Sequence, residues 1–85
     1  MMTKDIHTPE KLIESIVVSL VDNADAVEVT SREEGYSTII EIKVAPDDTG
    51  KVIGRQGRVI RALRVLARAS SSYVGGSHME VEMLD

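Results

Sequence analysis

The sequence lacks several of the residue types on which common classes of small protein depend. Its 85 residues include no cysteine, no tryptophan and no phenylalanine, and only two tyrosines. Without cysteine the chain has no disulfide framework, no thiolate nucleophile and no thiolate zinc site. Without a group of aromatic side chains it also lacks the stacking platform of RRM domains and single-strand-binding OB folds. We therefore expect a fold that is stabilised by the packing of aliphatic side chains alone.

Long apolar runs are absent too. No stretch approaches the roughly 18 apolar residues that a membrane-spanning helix needs, and the segment from Met1 to Asp5 lacks the basic and apolar regions of a signal peptide. The apolar share of 42% and the charged share of 28% are those of an ordinary globular domain. We therefore expect a cytoplasmic protein with no membrane insertion, formed by a single domain over residues 8–84 after a flexible segment at residues 1–7.

Acidic residues are missing from one long segment, although the formal net charge of the chain is −4. No aspartate or glutamate occurs between Thr49 and Met79, so all 14 acidic residues lie outside that segment. Local potential rather than total charge decides whether a polyanion binds, so this basic segment indicates a nucleic-acid partner. A solvated helix face would explain the same charges equally well. The segment holds six of the 10 basic residues, namely Lys51, Arg55, Arg58, Arg61, Arg64 and Arg68.

Periodicity predicts a helix followed by a hairpin in the first half of the chain. Thr8 is an N-cap candidate, Pro9 occupies the first helical position, and Asn23 can close the helix in the left-handed conformation. Apolar residues then alternate with polar ones over residues 27–30 and 40–44. This period of two, with a turn signal between the runs, predicts two strands paired as a hairpin.

Two helices and a last strand are predicted in the second half. A short helix, capped by Asp47 and Asp48, should stop at Gly54. A longer helix over residues 58–71 has an apolar arc opposite an arginine arc, and residues 79–83 alternate as a strand does. The predicted fold is α+β in the order αββααβ, with a three-stranded mixed sheet covered on one face by three helices.

The segment that carries chemistry is the loop Gly54-Arg55-Gln56-Gly57 between those two helices. Two glycines let the backbone turn sharply and approach a phosphate without a Cβ between them, and the next helix offers its free N–H groups. Arg55 can add a charge-assisted hydrogen bond and Gln56 a neutral donor, while Lys51 and Arg58 can flank the path of a nucleic-acid strand.

Other glycine motifs do not fit this spacing. A phosphate-binding P-loop would need glycine at position 45, where Ala45 stands, and a dinucleotide fingerprint would need glycine at position 52, where Val52 stands. A bare pair of glycines three residues apart usually means no more than a turn. Here Ile53 precedes the first glycine, and both Ile53 and Val59 can either offer apolar surface to bases or belong to the core.

The run GKVIGRQGRVIRA, from Gly50 to Ala62, resembles the signature of KH domains. The order αββααβ resembles the type II arrangement of bacterial KH domains, and the chain as a whole is similar to the small stand-alone KH proteins of the KhpA family. Only the loop from Ser70 to His78 departs from the pattern expected of that family.

The resemblance implies an RNA-binding protein that grips about four nucleotides of single-stranded RNA with its GxxG loop. It implies a post-transcriptional regulator or an RNA chaperone, and it leaves room for a homodimer or for a heterodimer with a larger KhpB-like KH protein. A KH groove does not need the missing aromatic platform. The predicted RNA contacts are Lys51, Ile53, Gly54, Arg55, Gln56, Gly57, Arg58 and Arg61.

An adaptor that acts through protein association is the main alternative. Ala62, Val65 and Ala69 form a narrow apolar stripe beside the arginines, which could admit another helix in a dimer or be partly buried within one copy. Tyr36, beside the hairpin turn, is expected to pack at a strand edge rather than to contact a base.

No pattern of catalytic or metal-binding residues is recognisable. His7 and His78 have no second ligand at metal-binding spacing, and capping explains the two adjacent aspartates before the short helix. The serines at 70–72 have no partner base. We therefore predict a non-enzymatic protein with no cofactor, no metal and no small-molecule substrate.

Overall fold

The structure is a computed structural model that describes residues 8–71 and 78–84. It confirms the predicted order αββααβ. Residues 1–7, predicted to be flexible, lie outside the described residues, and so do residues 72–77 of the predicted loop. The elements are α1 (Pro9–Leu20), β1 (Glu28–Glu34), β2 (Ser37–Lys43), α2 (Thr49–Ile53), α3 (Arg58–Ser71) and β3 (His78–Met83).

The three strands form the predicted mixed sheet, and their order in it is β1-β2-β3. β1 pairs with β2 in the antiparallel direction, and β2 pairs with β3 in the parallel direction. Glu34 is the register partner of Ser37, so the hairpin loop consists of Gly35 and Tyr36 alone. Gly35 has a φ of 62°, a conformation that glycine adopts without steric cost and that two-residue hairpins require.

The hydrophobic core lies between one face of the sheet and the three helices. Each strand contributes alternate residues to it, because successive side chains of a strand point to opposite faces. Ile39, which is also buried, faces the other side of the sheet beside its register partner Arg32. The core residues are Ile13, Val17, Val29, Ile40, Ile42, Val44, Val52, Leu63, Ala67, Met79 and Val81.

α1 begins as predicted, with Thr8 Oγ1 accepting a hydrogen bond from Lys11 N at 3.2 Å. Its end differs from the prediction, because Val21 is already extended and Asn23 has a φ of −110°. The left-handed cap predicted at Asn23 is therefore wrong. The chain leaves the helix extended because the backbone N–H of Asn23 donates to the carboxylate of Asp48, at 3.1 Å.

Asp48 itself does not act as the predicted cap of α2. It lies at the N-cap position of α2, but its side chain accepts no hydrogen bond there. The carboxylate is instead buried, at 2% exposure, and also accepts a hydrogen bond from Asp22 N at 3.2 Å. Asp48 therefore connects the start of α2 to the segment that follows α1.

α3 ends at Ser71, as predicted, so Ser70 and Ser71 belong to the helix and not to the loop after it. The hydroxyl of Ser70 donates to the carbonyl oxygen of Ala67 at 3.1 Å, so it satisfies its hydrogen bond within the helix.

Candidate nucleic-acid interface

The loop after α2 has three departures from ordinary helical geometry. Gly54 has a φ of 79°, Gln56 a φ of 58° and Gly57 a φ of 74°, all in the region that side chains disfavour. The Gly54 N–H donates to Gly50 O at 2.8 Å, and the Gly57 N–H donates to Gly54 O at 3.1 Å. The loop is thus a tight turn from which the side chains of Arg55 and Gln56 emerge exposed.

Gly54 is required by packing as well as by conformation. A Cβ at this position would lie 2.8 Å from Val59 N and 2.9 Å from Val59 Cβ, closer than any real contact. Val59 packs partly against the core. Val59 therefore packs between Gly54 and the core, whereas Ile53 is half-buried outside the core cluster.

Gly57 lies under the side chain of Arg61. A Cβ at Gly57 would be 3.2 Å from Arg61 Nη1, so the guanidinium of Arg61 folds back over the end of the loop. This direction is the usual one for a helical side chain, which leans toward the N-terminus of its helix. The charge of Arg61 therefore lies at the loop, although the residue belongs to α3.

The ammonium group of Lys51 is paired with two carboxylates. Its Nζ lies 2.8 Å from Asp22 Oδ2 and 3.0 Å from Asp48 Oδ1. Hydrogen bonding to Asp22 and then to Asp48 raises the pKa of Lys51. The pKa of Asp48 is lowered, first by the hydrogen bond from Lys51 and next by the one from the Asn23 amide. The positive charge of Lys51 is thus compensated within the protein.

The C-terminal half of α3 also has an anionic neighbour. Arg64 Nε lies 3.8 Å from Glu80 Oε1, and Arg68 Nη2 lies 3.6 Å from Glu80 Oε2. Arg68 Nε also donates to Met79 O at 3.1 Å, on the edge strand of the sheet. These contacts connect the C-terminal half of α3 to β3.

The remaining three basic residues of the segment surround the loop. Arg55, Arg58 and Arg61 are exposed and form no ion pair with any residue in 8–71 or 78–84. Packing thus divides the six basic residues of the segment into two groups. Three have carboxylate partners, and the three others lie around one glycine-bounded turn.

Two further predictions are decided by exposure. Tyr36 is 93% exposed, so the prediction that it packs at a strand edge is wrong. It occupies the two-residue hairpin turn, where its ring projects beyond the sheet. The stripe formed by Ala62, Val65 and Ala69 is exposed rather than partly buried, and Val65 reaches 62% exposure.

Two features outside the predicted set control the charge of the site. The pairing of Lys51 with Asp48 has a sequence signal, since oppositely charged residues three apart on a helix are neighbours. The pairing of Glu80 with α3 has no such sequence signal, because it depends on how a parallel strand lies beside that helix.

Within residues 8–71 and 78–84, no three His, Asp or Glu side chains are grouped to hold a metal ion. None of the described helices is both long enough and apolar enough to cross a membrane.

A solved structure with a similar fold is that of an Era variant from Aquifex aeolicus, with GDP and aluminium fluoride bound. The TM-score is 0.61 and the sequence identity 15%, so the similarity concerns the fold alone. The match covers 89% of this chain and 30% of the Era chain.

Sequence relatives are closer. The chain is 52% identical over 61 residues to the RNA-binding protein KhpA of Caldanaerobacter subterraneus subsp. tengcongensis, a match that covers 72% of this chain and 81% of the relative. It is 43% identical to the protein of that name from Streptomyces coelicolor, covering 89% of this chain and 91% of the relative. For the one from Borreliella burgdorferi the identity is 44%, covering 96% and 99%.

The family model described as the KH domain of KhpA and KhpB matches residues 10–83. This match confirms the resemblance to KH proteins, and the prediction of a non-enzymatic protein agrees with a family whose relatives are named for RNA binding. Three helices on a three-stranded mixed sheet are the fold expected of such a domain. The chain belongs to the KhpA/KhpB family of KH domains.

Proposed function

We propose that this chain binds single-stranded RNA in the cytoplasm and grips about four nucleotides with the loop from Gly54 to Gly57. The observation that carries the proposal is the cluster of Arg55, Arg58 and Arg61, which have no ion-pair partner among the described residues and surround that loop. The names of the KhpA relatives, all RNA-binding proteins, support it.

The proposed grip is mainly a grip on the sugar-phosphate backbone. Gly57 places no Cβ beside the guanidinium of Arg61, and the exposed Gln56 offers a neutral donor beside Arg55. Ile53 offers half-buried apolar surface to a base. Lys51 remains in the proposed site but contributes less to RNA binding than the arginines, because Asp22 and Asp48 already hold its ammonium group. Its first role is to position α2.

The double substitution Arg55→Asp with Gln56→Asp tests this grip. It places two carboxylates where phosphates should lie, so RNA binding should be abolished in a fluorescence anisotropy titration. The fold should survive, because both side chains are exposed and aspartate tolerates the positive φ at position 56. A double mutant that binds RNA as well as the wild type would contradict the proposal.

A matched control changes charge elsewhere by the same amount. Lys11→Asp with Ser15→Asp lies on the exposed side of α1 and should leave RNA affinity within about twofold of the wild type.

The salt dependence of binding gives a further test of the grip. With about three phosphates engaged, the logarithm of the binding constant should fall with the logarithm of salt concentration at a slope near −2.

A second proposed role is association through the stripe of Ala62, Val65 and Ala69. All three residues are exposed on α3, and small residues allow a second helix to approach closely. We propose that this stripe contacts a second copy of the chain or a KhpB-like KH protein. Salt-sensitive NMR shifts from Lys51 to Arg58 on adding RNA support the grip, whereas shifts confined to the stripe on adding a partner support an adaptor.

The cellular role that fits an RNA grip of this size is that of a post-transcriptional regulator or an RNA chaperone. Crosslinking in cells, followed by sequencing of the attached RNA, tests this role. Enrichment of defined transcripts supports regulation, and broad recovery of structured RNAs supports chaperone activity.

A further inference from the structure

One carboxylate, that of Glu80, lies against the C-terminal half of the arginine row on α3. Its two oxygens are 3.8 Å from Arg64 Nε and 3.6 Å from Arg68 Nη2. Both separations fall within ion-pair distance but exceed the usual length of a hydrogen bond. Ion pairs between partly exposed groups are weak, so Glu80 offsets the charge of the two arginines without forming a strong bond to either.

Arg64 has one hydrogen-bond donor without an acceptor. Its Nε is buried and has no hydrogen-bond acceptor among the residues that the structure describes. A buried donor without an acceptor is unfavourable, and such groups are rare in folded proteins. The Arg64 side chain as a whole is 30% exposed, so an acceptor from outside the protein would compete with Glu80 for its charge.

The N-terminal half of the same helix is different. Arg58 and Arg61 have no ion-pair partner in the described part of the chain, and the guanidinium of Arg61 lies over Gly57. Because Glu80 pairs with Arg64 and Arg68, it places a negative charge beside one end of the arginine row only. The net charge along the row therefore falls between Arg61 and Arg64.

We propose that Glu80 sets the length of the RNA-binding surface, by competing with phosphate for Arg64 and Arg68. The inference rests on the proposed function, because it concerns where the RNA strand leaves the helix. A strand held at the loop meets Arg58 and Arg61 first. The next phosphate of the strand would then lie beside the carboxylate of Glu80, which already pairs with Arg64 and Arg68 and repels it. Glu80 thus keeps the contact short and the affinity modest.

Glu80→Gln tests this role, because glutamine keeps the size of the side chain and removes the charge. Binding of oligouridines of about four and about eight nucleotides should be measured over a range of salt concentrations. For the longer RNA, Glu80→Gln should bind about two- to fivefold more tightly at low salt, with a salt slope steeper by about 0.7 to 1.4. For the shorter RNA the gain should be much smaller.

Two further variants make the result specific. Glu28→Gln removes the same charge from β1, at the opposite edge of the sheet, and should leave affinity and slope unchanged. Adding Arg64→Gln and Arg68→Gln to Glu80→Gln should return the salt slope to the wild-type value. The coupling between these positions isolates the competition from any general effect of charge.

Failure of the inference and failure of the proposed function are distinguishable. If Glu80→Gln and Glu28→Gln bind both RNAs alike while Arg55→Asp with Gln56→Asp abolishes binding, the grip stands and the role of Glu80 is wrong. If the double aspartate variant binds as the wild type does, the grip itself is wrong and the inference falls with it.

Discussion

At the scale of single residues, Gly54 carries the strictest requirement in the loop. Its φ of 79° and the closeness of Val59 exclude any side chain. Gly57, by contrast, has only the flexible end of Arg61 beside it, at 3.2 Å. The two glycines of the motif are thus required for different reasons. Gly54 is required because a side chain would clash with Val59, whereas Gly57 leaves room beside the end of Arg61.

Gly54→Ala should therefore lower the free energy of unfolding by about 2–4 kcal/mol, from the strained φ and the forced displacement of Val59 together. Gly50→Ala is the matched control. Gly50 lies in α2, and no atom lies within 4 Å of the point that its added methyl group would occupy, so alanine there should raise stability by about 0.5–1 kcal/mol. Urea unfolding of both variants measures the difference, and equal stabilities would contradict the packing described for Gly54.

Asp48 is the second residue on which the site depends. It is buried, and it accepts hydrogen bonds from two backbone amides and from Lys51. Its pKa in the folded protein lies below the ordinary value of 3.8. The unfolded state therefore binds more protons than the folded state in mild acid, so the stabilisation is present above pH 4 and is lost as pH falls through the lowered pKa.

Comparison of the wild type with Asp48→Asn from neutral pH to about pH 3 checks this assignment. The variant should be less stable at neutral pH by several degrees in Tm. The difference should stay constant down to about pH 5 and shrink below about pH 4, because only the wild type loses the ionised carboxylate. A difference that does not change with pH would show that Asp48 stabilises the fold by shape alone.

At the scale of elements, α2 is the piece least able to form without the rest of the molecule. It has five residues, Thr49–Ile53, and isolated helices shorter than about 12 residues are marginal in water. What holds it is Val52, which is fully buried in the core, together with the hydrogen bonds of Asp48. The orientation of α2, and with it that of the loop, therefore depends on the burial of Val52 and on the carboxylate of Asp48.

Val52→Ala should cost about 2–3 kcal/mol of unfolding free energy, since it removes buried methyl groups and leaves a cavity under the loop. Ile53→Ala, at the half-buried neighbouring position outside the core cluster, should cost about half as much. Guanidinium unfolding of the two variants compares them. An equal loss would mean that α2 is not anchored through Val52.

α3 presents three different surfaces along one helix. Leu63 and Ala67 face the core, Arg64 and Arg68 lean on the edge strand β3, and the stripe centred on Val65 is exposed. The helical period alone separates the apolar arc from the arginine arc. It does not separate the arginines that meet a carboxylate from those that do not, because that distinction depends on the neighbouring strand.

At the scale of the whole molecule, a small core leaves apolar surface uncovered. Val65 and Leu66 remain 62% and 41% exposed on α3, beside the small residues of the stripe. If the stripe joins two copies, Val65→Glu should convert the protein to a monomer in sedimentation velocity experiments, because a carboxylate would be buried at the contact. The same variant should retain the wild-type unfolding midpoint at low protein concentration.

Tyr36→Glu is the control for that experiment, since it adds an equal charge at the hairpin turn, where the native side chain is 93% exposed. It should leave association unchanged. Equal association of Val65→Glu and the wild type would place any contact between copies away from the stripe.

Much of the fold was predictable because periodicity is a local property of the chain. The start of α1 at Pro9, the bounds of α3 and the alternation of β3 follow from caps and patterns that neighbouring residues determine. Two of the incorrect predictions, a left-handed Asn23 and a capping Asp48, share one cause. Each residue is engaged by the other across the molecule, and a partner 25 residues away overrides a local preference.

The sequence by itself determined the order of elements, the apolar faces and the glycine-bounded loop, because each depends on residues a few positions apart. Only the tertiary structure decided which positive charges remain available. Lys51 meets Asp22, 29 residues away, and two arginines of α3 meet Glu80 on the strand beside them. Electrostatic pairing depends on distance in space, so packing selected Arg55, Arg58 and Arg61 from six basic residues as the ones left around the loop.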